Sequence, residues 1–171
     1  PADAVTVVLT CMAKDPKERY ADASELLGEV KAVYGGLRSL ENLLREALSD
    51  TPIQVLGTGD RFVAQVYLPG DRSQTVSVES CAAEAIAERV VKIFSVCGPA
   101  NESFYRRALE LNAVIPHGSI AIEKIDGQPH FVIGNTYPRA TCDPEEVRRS
   151  VLTIAKHADD IERCLTGSDR H

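Results

Sequence analysis

The sequence has no tryptophan, a single methionine and only 5% aromatic residues. Proteins that hold nucleic acid interleave aromatic side chains with basic ones, to stack on bases and neutralise phosphates. No run of Lys and Arg alternates with aromatics in this chain, and its net charge is −6. Nucleic acid is therefore not an expected partner, and a mildly acidic surface favours solubility without specifying a ligand. Long apolar runs are also missing. No stretch approaches the roughly 20 residues that a helix needs to cross a bilayer, and no signal-peptide pattern opens the chain. Cysteine pairing is absent too: Cys11, Cys81, Cys97, Cys142 and Cys164 are odd in number, widely spaced and form no C-x-x-C. That argues against a disulfide scaffold or a thiolate zinc site and points to a reducing, cytoplasmic compartment. Of His117, His130, His157 and His171, none stands four residues from another and none has a cysteine at zinc spacing, so no metal is expected.

What is there is an ordinary globular composition, 44% hydrophobic and 26% charged. A chain of 171 residues supports one real core, alone or beside a fragment of a second domain. It begins with Pro1 rather than methionine, which predicts a processed or truncated piece.

Along the chain, Val5, Val8, Leu9 and Met12 predict a helix over residues 3–13, ended by Asp15-Pro16. A second helix opens at Asp22 with Glu25 three residues on, and Gly35-Gly36 is expected to stop it and act as a linker. Leu40, Leu43, Leu44 and Leu48 place a third helix from Ser39 to Ser49. The pattern then turns to strands: a weak one at Ile53 to Leu56, a period-two run from Phe62 to Leu68, another from Gln74 to Glu79, and Arg89 to Cys97. Leu56-Gly57-Thr58-Gly59-Asp60 has two glycines but no third, and reads as a turn; Pro69-Gly70-Asp71 is another. Asn101 caps a helix carrying Phe104, Tyr105, Ala108, Leu109 and Leu111. Asp126-Gly127 joins Ser119–Ile125 to His130–Tyr137 in a tight hairpin. Asp143, Pro144 and Glu146 open a final helix, whose apolar residues Val147, Val151, Ile154, Ala158, Ile161 and Leu165 recur every three or four positions before a C-cap at Gly167. Such a stripe serves a coiled-coil seam or, more commonly, a helix packed on a sheet. The fold class is α+β: an antiparallel sheet of five or six strands in the order helix, strands, helix, hairpin, helix, preceded by two helices.

The residues that carry chemistry in other proteins are here without their companions. A catalytic Cys97 or Cys164 needs a basic neighbour to lower its pKa, and buried structural thiols are the commoner reading. Asp159, Asp160 and Glu162 lie near a helix C-terminus, where carboxylates oppose the dipole and a solvent-facing or partner-facing role is expected. Arg72 and Gln74 at a strand entrance could orient a ligand, but turn contacts or solvation are the usual lot of such residues.

The segment from Leu9 to Tyr20, with Ala13-Lys14-Asp15-Pro16, two variable residues and Arg19-Tyr20, followed by a helix with Glu25-Leu26, resembles the end of the catalytic domain of bacterial-type Ser/Thr protein kinases. In that family an arginine at the place of Arg19 is buried and pairs with the glutamate of an Ala-Pro-Glu motif. The resemblance thus implies a structural role for Lys14, Asp15, Pro16 and Arg19. The chain holds no Ala-Pro-Glu, glycine-rich loop, strand lysine, His-Arg-Asp or Asp-Phe-Gly. It therefore carries no catalytic residue and no cofactor; ATP and Mg are expected only in a missing kinase portion.

From Leu37 to His171 the order of elements resembles the type III secretion chaperone-like family. The residues that carry this are Arg72 to Val76, Phe94 to Gly98, Leu109 to Asn112 and Asp159 to Gly167. The resemblance implies a homodimer that binds a protein or peptide through apolar grooves, with Arg72, Gln74, Phe104, Tyr105 and Leu109 as candidate partner or dimer surface. The Ala-rich insert Cys81 to Glu88 has no counterpart in the short secretion chaperones. A regulatory module fused to a kinase, with residues 1–36 as kinase tail and 37–171 as module, fits better than a free-standing chaperone. Removed from a kinase lobe, the first two helices are expected to expose their stripes and either to pack loosely on the module or to be mobile.

Overall fold

In the computed structural model, which describes residues 2–83 and 88–166, the period-two run becomes β2 (Arg61–Leu68) of a six-stranded antiparallel sheet. The other strands are β1 (Gln54–Thr58), β3 (Arg72–Ala83), β4 (Glu88–Pro99), β5 (Ser119–Ile125) and β6 (Gln128–Pro138), in the order β1-β2-β3-β4-β6-β5. Two of the three turns read from sequence form as read: Gly70 and Asp71 have positive φ before β3, and Asp126 and Gly127 adopt φ of 50° and 79° between β5 and β6. Of the third, Leu56, Gly57 and Thr58 belong to β1 and only Gly59-Asp60 turns. β3 and β4 run further than the expected strands, because Ala82 pairs with Arg89 and Ala83 with Glu88. The ends of the Ala-rich insert thus belong to a long hairpin; its middle lies outside the described residues, as do the Gly167 cap and His171.

The helices are α1 (Ala2–Cys11), α2 (Ala23–Leu37), α3 (Leu40–Ala47), α4 (Tyr105–Asn112) and α5 (Pro144–Thr166). Side chains that alternate on the strands (Phe62, Ala64 and Val66; Val76 and Val78; Val91 and Ile93; Phe131 and Ile133) turn to one face of the sheet and are buried there. α5 lies across that face, contacting β2, β3, β4 and β6. Val147, Val151, Ile154 and Ala158 have no exposed area, so the stripe serves helix-on-sheet packing. α3 packs against α5 through Leu40, Leu43 and Leu44, and α4 touches β5 and α5. The start of α5 is a reciprocal capping box: the Glu146 amide donates to Asp143 Oδ1 at 2.8 Å, and the Asp143 amide to Glu146 Oε2 at 3.2 Å.

One expectation is overturned. The pair Gly35-Gly36 does not end α2, which runs on to Leu37. Gly35 is buried against the backbone of Ala140, where a Cβ would collide with the Ala140 carbonyl. Glycine is used here for close approach rather than for flexibility. Before α2, Asp15 accepts from the Lys17 amide at 2.9 Å, Pro16 opens a 3-10 turn, and Arg19 Nε donates to the Ala13 carbonyl at 2.9 Å. Arg19 is exposed and satisfied within its own turn. The stripes of α1 and α2 are exposed in large part: Val5, Val8, Leu9, Met12, Leu27, Val30 and Tyr34 are exposed, whereas Leu26 and Val33 of the α2 stripe are half-buried.

Two substitutions on α5 measure how much its packing and its cap contribute. Ile154→Ala removes a fully enclosed side chain and is expected to cost about 2–5 kcal/mol of unfolding free energy in urea titration. Asp143→Ala, losing only the cap, should cost about 1 kcal/mol by the same measurement.

Candidate functional site

β5 is the last strand of the sheet and has a neighbour on one side only. Successive amides of a strand point alternately to its two edges. The Ile120 amide donates to Asn112 Oδ1 at 2.9 Å, away from β6, so the even-numbered residues turn their amides and carbonyls outward. Asn112 covers that first position, whereas Ile122 and Lys124 further along have no strand beside them among the described residues.

The inward side chains of the same strand, Ile120 and Ile122, form an apolar groove with Tyr105, Ala108 and Leu109 of α4 and with Phe131 of β6. The groove encloses about 280 Å³. Phe131 is its buried floor, and the Tyr105 ring meets it edge-on at 6.0 Å and 88°. Leu109 is 69% exposed and Ile122 46%. α4 has only eight residues and buries only Ala108 fully, so it covers the end of the sheet incompletely. Of the residues read from sequence as partner surface, Tyr105 and Leu109 come together here. Phe104 precedes the helix, part-exposed and outside the groove lining. Ile120, Ile122 and Phe131 were not foreseen: their strands were read correctly, but strand order, which makes β5 an edge, has no local signal.

Arg72 and Gln74 lie three strands away, on β3, and face inward onto α5. Gln74 is buried, its Nε2 donating to Glu162 Oε2 at 2.9 Å, while Ser95 Oγ approaches its Oε1 at 3.3 Å. Arg72 Nε lies 3.0 Å from Asp159 Oδ1, an ion pair by distance although the N–H is not well aimed. Asp159 and Glu162 are thus buried against the sheet, contrary to the expected solvent-facing or partner-facing role; Asp160, paired with Arg163 at 2.6 Å, stays half-exposed. The polar link sits where the sheet divides: pairing of β3 with β4 stops at Ser77 opposite Phe94, though both strands continue. Ser95 Oγ donates to the Thr75 carbonyl at 2.8 Å, a side-chain substitute for the interrupted ladder.

A serine, a histidine and a tyrosine also meet. His117 Nε2 lies 3.1 Å from Ser150 Oγ and 3.1 Å from the Tyr137 hydroxyl, which is 2.8 Å from Ser150 Oγ; Asn135 Nδ2 donates to the same oxygen at 2.9 Å. A nucleophilic serine needs a base at this distance, but it also needs access. Ser150 has no exposed area and its oxygen is already shared by three partners. The cluster ties β6, the loop before β5 and α5 together. Its members are 13 to 33 residues apart and follow no motif, so the sequence offered no sign of it.

The cysteines divide by burial. Burial pushes the Cys97 and Cys142 thiols up to about 12, so both are protonated and inert at neutral pH. Cys11 and Cys164 are exposed, the latter against the expectation of a buried thiol. His157 is half-buried on α5, and its Nε2 is shielded without a hydrogen-bond partner. Burial pulls its pKa below the ordinary 6.5; Lys156 and His117 add to that effect and Asp160 opposes it. Among the described residues no group of three or more His, Cys, Asp or Glu side chains could hold a metal ion, and no helix is long and apolar enough to cross a membrane. No protein-family model matches the chain, and no curated protein sequence matches it.

Two solution measurements follow from these environments. At pH 8 a thiol with a pKa near 12 is ionised to about one part in ten thousand, so an alkylating reagent should label Cys11 and Cys164 long before Cys97 and Cys142, which react only on unfolding. His157 has its folded pKa below the unfolded value of 6.5, so the unfolded chain takes up the proton first as pH falls. Its contribution to stability is therefore full above 6.5 and is lost as pH drops through the folded pKa. Chemical denaturation at pH 7.5 and 5.5 should show a smaller loss on acidification in His157→Gln than in the parent chain.

Proposed function

We propose that this chain is the C-terminal part of a bacterial-type Ser/Thr protein kinase, and that its α+β module joins two copies of the protein through the α4–β5 surface. The observation that carries the module's role is the apolar groove beside an unpaired edge strand. An exposed edge next to apolar side chains is a liability in a monomer and an asset in a dimer, where strand addition supplies backbone hydrogen bonds and the groove supplies buried area. The kinase portion of the reading rests on Lys14, Asp15, Pro16 and Arg19 in their motif and on the exposed stripes of α1 and α2, which suit helices made to be covered. ATP and Mg would belong to the upstream catalytic lobe, and phosphate transfer would take place there. The module would hold two kinases together in the cytoplasm or bring in a regulator.

A second reading, a free-standing chaperone-like protein that holds a partner polypeptide, draws on the opposite edge of the sheet. There a cleft of about 410 Å³ between α3 and β1 is lined by Leu44, Leu48, Ile53, Val55 and Phe62, with Glu41, Arg45 and Thr51 around them. The two readings separate on the upstream coding sequence: an in-frame glycine-rich loop, His-Arg-Asp and Asp-Phe-Gly support the first, and their absence leaves the second.

The dimer is tested by sedimentation velocity on the chain at micromolar to millimolar concentrations. We expect a dimer whose dissociation constant rises by about 30-fold or more in Leu109→Glu and in Ile122→Lys, the loss of one interface anchor each. A chain monomeric throughout that range, or variants that dimerise like the parent, would refute the assignment.

A further inference from the structure

Arg139 follows the last residue of β6 and is 8% exposed. Its guanidinium makes no ion pair among the described residues. Instead Nη1 donates to the Gly35 carbonyl at 3.1 Å and Nη2 to the Arg38 carbonyl, both at the C-terminal end of α2. The last carbonyls of a helix lack intrahelical donors and carry the negative end of its dipole, so a cation is well placed there. The dependence runs both ways. If α2 moved off, the guanidinium would lose both carbonyl acceptors, and the α2 carbonyls their donor.

The surrounding contacts lead from α2 into the sheet. The Arg139 amide donates to the Arg89 carbonyl of β4 at 2.8 Å, which anchors the loop. Gly35 packs on the Ala140 backbone with no room for a side chain. Arg38 pairs with Glu46 of α3 at 2.6 Å and sits 5.0 Å over the Tyr34 ring, bracing α2 from the other side. We propose that the Arg139 clamp and the Gly35 contact make α2 a strut continuous with the α+β module, so that the arm formed by α1 and α2, and anything attached ahead of it, is held at a fixed orientation to the sheet. Gly35, from the pair that reads as a linker, is the point of fixation. This coupling does not depend on what precedes the arm or on dimer formation.

Residual dipolar couplings on the full chain test it directly. Amides of residues 24–34 should fit the same alignment tensor as the sheet and α5. In Arg139→Gln and in Gly35→Ala they should need a separate tensor of smaller magnitude, with α2 amide exchange about tenfold faster or more and the sheet amides unchanged. Gly28→Ala, on the same helix with open space at its Cβ, should keep the shared tensor. If Arg139→Gln does not yield a folded sheet, Gly35→Ala, which leaves the guanidinium in place, decides. A parent chain that needs two tensors, or a Gly35→Ala variant that still fits one, overturns the proposal.

Discussion

Everything in this protein is positioned by the burial of one face of α5 on one face of the sheet. The helix contributes Val147, Val151, Ile154, Ala155, Ala158 and Ile161, and the strands answer with Val76, Val78, Val91, Ile93 and Ile133. Apolar burial of this kind is strong but tolerates a slide along the helix axis. The hydrogen bond from Gln74 to Glu162 and the pairing of Arg72 with Asp159 do not, since both need their partners at about 3 Å. The apolar stripe therefore supplies the driving force, and the buried polar pairs set the position. They stand where β3 and β4 separate, so that no ladder between these two strands holds the sheet together there.

The same arrangement decides what is left uncovered. α5 takes the middle of the sheet, α3 flanks it on the β1 side, and α4 is too short to close the β5 side. The groove at Leu109 and Ile122 is the remainder. At the other end of the molecule the exposed stripes of α1 and α2 are joined to the core through Arg139. Besides the cleft at the β1 edge, the described residues thus present two apolar surfaces that look outward, one beside an edge strand and one on an arm, with a rigid path from the arm to the sheet.

Much of the fold was legible because its signals are local. Asp143, Pro144 and Glu146 declare the start of α5, Asp126-Gly127 declares a hairpin, and the alternation from Phe62 to Leu68 declares a half-buried strand. The Gly35-Gly36 pair misled for a physical reason: glycine serves both a break and a close approach, and only the presence of the Ala140 backbone tells the two apart. The carboxylates at 159 and 162 misled in the same way, since their cost near a helix C-terminus is offset by Arg72 and Gln74, some 87 and 88 residues away in sequence. Of the groove, Tyr105 and Leu109 were visible as apolar residues on a short helix, whereas Ile120, Ile122 and Phe131 became part of it only through strand order.

The sequence by itself determined which segments are helices and which are strands, and which face of most of them is apolar. These follow from periodicity, caps and turn residues, whose energetics act over a few residues. The tertiary structure alone decided that β5 is an edge, that His117 meets a fully buried Ser150, and that Arg139 closes on the end of α2. Each depends on pairing between segments distant in the chain, and no local preference encodes which distant segment will be the neighbour.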